Sequence, residues 1–82
     1  MLGLLWMDDS DLPTARKIED AARRYRLRFG VAPTLCLVNP ADMAEGLAQK
    51  GLSVEPRRNI PRHHFLVGRA AVEEPVVLDK AA

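Results

Sequence analysis

The chain is 82 residues long, room for one domain that buries a comparatively small fraction of its surface when it folds. Apolar residues make up 48% and charged residues 28%, a balance too hydrophobic for a disordered chain, and no apolar stretch reaches the length of a membrane span. The net charge of +1 is a cancellation: residues 1–11 are acidic, 12–30 and 52–70 basic, and the tail acidic again, so local basic patches survive inside a nearly neutral total.

Leu2 to Met7 form a short apolar run that meets "DDSD", the pattern of a strand buried on both faces, which places this strand in the middle of a sheet or under another element. The opening "MLGLLWM" has no basic flank and runs directly into aspartates, unlike a signal peptide, so a cytoplasmic location is expected. Ser10 or Asp11 then caps a helix running from Leu12 to Phe29, with Pro13 in its first turn and Gly30 and Pro33 closing it. Ala15, Ile18, Ala22, Tyr25 and Phe29 recur at spacings of three and four and give this helix one apolar stripe. On its outer side Glu19 with Arg23, Asp20 with Arg24 and Arg16 with Asp20 are spaced for ion pairs, and Leu27 points away from the stripe, a lone exposed leucine or the mark of a contact.

"TLCLV", Thr34 to Val38, reads as a second buried strand, and the helix before it implies a right-handed β-α-β unit with parallel strands. Cys36 lies inside this run; a single cysteine forms no intramolecular disulfide and is read here as a reduced, buried core residue. Asn39, Pro40 and Asp42 supply a cap, a first-turn proline and a first-turn acid, predicting a second, short helix from Pro40 to Lys50 that stops at Gly51 and is weakened by Gly46. "LSVEP" alternates as an edge or half-exposed strand does. "HFLVG" reads as the fourth strand, and the connection between the two favours an antiparallel hairpin.

The fold class expected is α/β: a β-α-β-α-β-β domain over residues 1–70, its mixed sheet joining a parallel pair to a C-terminal antiparallel hairpin and packing on a long amphipathic helix. Residues 71–82 are expected to be an extended or mobile tail, in which "VVL" can add a strand to a neighbour's edge. Two helices shield both faces of such a sheet only from opposite sides. Otherwise the open face is buried by another copy, and a homodimer is expected.

Two constellations carry possible chemistry. The stretch "PRRNIPRHHFLVG" gathers Arg57, Arg58, Arg62, His63 and His64 in a proline-braced connection suited to phosphates, with Asn59 adding a hydrogen bond. The same charges equally serve as solvated protection against edge-to-edge aggregation, and the stretch lacks the interleaved aromatics of single-strand binders. Nine of the twelve basic residues are arginine, a bias that suits bidentate anion contacts and that genome composition also produces. At the carboxyl ends of the first two strands, Asp8, Asp9 and Asp42 can hold a divalent cation, or act only as caps and first-turn acids.

Adjacent histidines on a strand point to opposite faces, and two histidines with one buried cysteine fall short of a zinc ligand set. No glycine-rich phosphate loop is present, no nucleophile has a placed base, and no cofactor is expected. Three readings follow: a non-enzymatic, self-associating interaction module with a protein partner; a nucleic-acid-binding accessory protein using the basic connection, helped by Arg69 and the basic end of the long helix; and a metal-dependent hydrolase or nuclease-like site at Asp8, Asp9 and Asp42.

Overall fold

The computed structural model describes residues 3–47, 49 and 51–69. Strand β1 (Gly3–Met7) is followed by helix α1 (Thr14–Phe29), strand β2 (Leu35–Val38), a single 3-10 turn (Pro40–Asp42), strand β3 (Ser53–Pro56) and strand β4 (His64–Gly68). The expected tail at 71–82, with its "VVL", lies outside the described residues, as do Leu2 and Lys50. No helix among the described residues is long and apolar enough to cross a membrane.

The fold class is the one expected, a mixed sheet on one long amphipathic helix, with a strand order of β1-β4-β2-β3. The pairing partners differ in detail. β4 inserts between β1 and β2 and runs antiparallel to both, so the hydrogen-bonded parallel pair is β2 with β3, and β4 takes its antiparallel partners from β1 and β2 instead of closing a hairpin with β3. The first strand is therefore an edge strand and the last a central one. Local apolarity cannot separate these cases: β1 is apolar on both faces because Leu4 and Trp6 point to the core while Leu5 and Met7 point away from it.

Register places Trp6 opposite Phe65 and Phe65 opposite Val38; the next row in phase is Leu4, Val67 and Cys36. These rows face α1, whose Ile18, Ala21 and Tyr25 are buried against them, and Leu47 and Leu52 complete the core. The stripe read from spacing is correct, widened by Ala21 and by Lys17, which is also buried. Tyr25 and Phe29, one turn apart, pack their rings in a tilted contact with centroids 4.6 Å apart.

Alternation sends Leu5, Leu66 and Leu37, together with Met7 and Leu35, to the opposite face. Leu5 is 54% and Met7 56% exposed. The second helix expected over Pro40 to Lys50 is absent from the described part of that segment. Met43 is already extended after the 3-10 turn, Gly46 adopts a positive φ of 76°, and Leu47 drops into the core on the side of α1. One helix thus serves one face.

The start of α1 also departs from expectation. Its first position is Thr14, and Pro13 occupies the cap without a side-chain hydrogen bond. Ser10 instead joins a relay of turns, its N–H donating to Asp8 Oδ1 at 2.9 Å and its hydroxyl accepting from Leu12 N–H at 3.3 Å. At the other end Gly30, with φ 76°, donates its N–H to the Arg26 carbonyl at 2.8 Å, the left-handed stop that the sequence indicated.

Candidate functional site

Residues 57–63 join β3 to β4 and carry the basic cluster. The segment is anchored at several points. The Arg57 N–H donates to the Val38 carbonyl at 2.8 Å, continuing the parallel pairing of β2 and β3, and the Ile60 N–H donates to the Arg57 carbonyl at 3.2 Å. Asn39 performs two tasks: its Oδ1 accepts the Ala41 N–H and so caps the 3-10 turn, while its Nδ2 donates to the Ile60 carbonyl, both at 2.8 Å. Ile60 itself is buried.

Asp42, on the 3-10 turn, uses both carboxylate oxygens on this segment. Oδ1 accepts from Arg62 Nε at 2.9 Å and Oδ2 from the His63 backbone N–H at 2.8 Å, with the Asp42 side chain only 7% exposed. Burial by itself would raise this carboxyl, but the His63 N–H bond, the Arg62 hydrogen bond and the nearby positive charges together hold it below the ordinary carboxylate value. His63 has φ 65°, a left-handed backbone in a residue other than glycine, and its carbonyl accepts the Asp8 N–H at 2.9 Å. His64 Nδ1 lies 2.8 Å from the Arg62 carbonyl, and because a carbonyl only accepts, Nδ1 is the donor in that contact.

The cluster is thus brought together in space but largely engaged within the chain. Arg57 turns back on Glu55 at 2.9 Å and on the Pro56 carbonyl, and Arg62 is held by Asp42. Arg58 is exposed and takes part in none of the ion pairs formed by the described residues. His63 contributes its backbone to the latch, and Arg69 reaches away to the Ala32 carbonyl.

The three aspartates do not form a cluster. Asp8 caps Ser10, and the side-chain and backbone hydrogen bonds of that turn are the main reason its carboxyl lies below the usual value. Asp9 is exposed, and Asp42 faces the basic segment. Among the described residues no group of three or more His, Cys, Asp or Glu side chains is placed to hold a metal ion.

A second surface, not singled out by composition, borders β1. A depression of about 230 Å³ is lined by Trp6, Asp20, Arg23, Arg24 and Leu27, and the buried Trp6 indole N–H finds no acceptor there. Leu27 is 74% exposed, the most exposed of the described large apolar side chains. Asp20 pairs with Arg16 at 3.2 Å and Arg23 at 2.9 Å rather than with Arg24. No protein-family model, curated protein or solved structure matches the chain.

Proposed function

We propose that this protein is a non-enzymatic interaction module that self-associates through the exposed apolar surface along strand β1. The observation that carries this reading lies on strand β1, where Leu5 and Met7 are more than half exposed, next to Leu66, on the sheet face that no described helix covers. Contiguous apolar surface of this kind is characteristic of association sites, and a domain this small gains most from a partner that covers it. Light scattering at micromolar concentration tests the proposal: a mass of twice the 9.1 kDa chain is expected, and the mass of one chain rejects it.

A second reading, nucleic-acid binding by Arg57, Arg58, Arg62, His63 and His64, is favoured by the anchored backbone of that segment, which lowers the cost of ordering it on a ligand. It is opposed by the internal ion pairs of Arg57 and Arg62, which an anion must displace. Binding to a mixed-sequence oligonucleotide that falls with salt, and falls further in Arg57→Ala/Arg58→Ala/Arg62→Ala, is its expected signature; no binding at low salt removes it. Nothing among the described residues adds to the metal-dependent reading at Asp8, Asp9 and Asp42.

A further inference from the structure

We infer that the second chain docks on the outer edge of β1, two copies of the strand pairing antiparallel about a two-fold axis at Leu5 so that both sheets continue as one; this rests on the self-association proposed above. Among the described strands the sheet has two edges, β1 and β3. β3 is blunted in the ways edge strands are: it ends in Pro56, carries Ser53 and Glu55, and leads into Arg57 and Arg58. β1 reads "GLLWM", with no proline and no charge, and no described strand pairs with its outer side.

The backbone groups on that side follow from one hydrogen bond. Asp8 continues the register of β1 opposite His63 and donates its N–H to the His63 carbonyl. In an antiparallel ladder alternate residues share this orientation, so Trp6 and Leu4 also turn their N–H and C=O groups to β4. Gly3, Leu5 and Met7 therefore present theirs outward. A second β1 running antiparallel with Leu5 against Leu5 sets Gly3 against Met7 in both directions, and every outward group of the strand meets a partner.

The flanks of this edge are self-complementary as well. On one face of the sheet stand Leu5 and Met7; on the other, beside Trp6, stands Leu27. Asp20 and Arg24 lie one helical turn apart in the lining of the same depression. A two-fold axis sets the two copies of α1 antiparallel, bringing each Arg24 toward the partner's Asp20, an ion pair that does not form within one chain. The exposed Leu27 is then covered by the partner.

The test compares molecular mass by light scattering for wild type, Leu5→Pro, Leu5→Lys and Leu37→Lys, each checked for a cooperative thermal transition. Proline at position 5 removes an outward donor and leaves the β1–β4 ladder intact, whereas lysine there sets like charges face to face at the axis. Wild type and Leu37→Lys are expected to be dimers, and Leu5→Pro and Leu5→Lys folded monomers; should Leu5→Pro fail to fold, Leu5→Lys decides. Dimers in both Leu5 variants overturn the edge contact. Loss of the dimer in Leu37→Lys also overturns it, by placing the partner on the open face while self-association stands, and a monomeric wild type removes both proposals.

Discussion

Asp42 holds the backbone of His63: its Oδ2 accepts the His63 N–H at 2.8 Å, across twenty-one residues of sequence, while its Oδ1 holds Arg62 Nε at 2.9 Å. This carboxylate ties the turn that leaves β2 to the segment that enters β4. It stands where a β3–β4 hairpin would have used local turn bonds, and it fixes the point from which β4 inserts between β1 and β2. The basic segment is shaped by an acid outside it.

Asp42→Ala should destabilise the domain substantially. The substitution removes two hydrogen bonds to a nearly buried charged group, bonds whose loss costs about 2 kcal/mol in all. In a domain of this size that lowers the melting temperature by about 10 °C. Thermal denaturation followed by circular dichroism measures it, and an unchanged melting temperature would show that the latch contributes nothing.

The same carboxylate gives stability a defined acid limb. Its folded pKa lies below the unfolded value, so the unfolded state binds the proton more readily. The contribution is therefore fully present above the unfolded pKa of about 3.9 and is lost as pH falls through the lower folded value. Melting temperatures recorded at decreasing pH should fall in the wild type and fall less steeply in Asp42→Asn. Parallel curves for the two proteins would assign the acid limb to other groups.

His63 occupies the left-handed region at φ 65°, where a side chain costs about 1 kcal/mol that glycine does not bear. His63→Gly should therefore melt close to wild type despite losing a side chain, and His63→Val, branched at Cβ, should melt clearly lower. A His63→Gly protein that unfolds at much lower urea than wild type would place the importance of this position in the imidazole ring.

Cys36 is fully buried and its thiol is pushed up to about 12 by that burial. A thiol reagent at pH 8 should leave the native protein unmodified and label it fully in denaturant, at a rate under native conditions that follows unfolding. Rapid labelling of the folded protein would contradict the placement of β2 in the core.

The elements themselves were legible because they are local. Spacing gave α1 its buried stripe, Gly30 its stop, and "HFLVG" its strand to the residue, all through interactions between residues a few positions apart. The expected second helix failed for a reason of the same scale that propensity weighs poorly. Asn39 and Asp42 are good helix-start residues in isolation, but here their side chains also bond to Ile60 and to Arg62 and His63, and one turn satisfies them. The basic cluster was visible as composition, while the internal pairing of two of its three arginines depends on Glu55 and on a residue on another element.

By itself the amino-acid sequence determined the class of the domain, the amphipathic helix, the buried thiol and the apolar character of β1, because each follows from side-chain period and burial along one segment. Only the tertiary structure decided that, among the described strands, β1 is an edge and β4 lies inside the sheet, that no described helix covers one face of the sheet, and that Leu27, Trp6, Asp20 and Arg24 border the same depression. Strand order is set by which distant segments satisfy one another's backbone and carboxylate groups. In this chain those bonds run from Asp8 to His63, from Asn39 to Ile60 and from Asp42 to Arg62, separations at which no local pattern repeats.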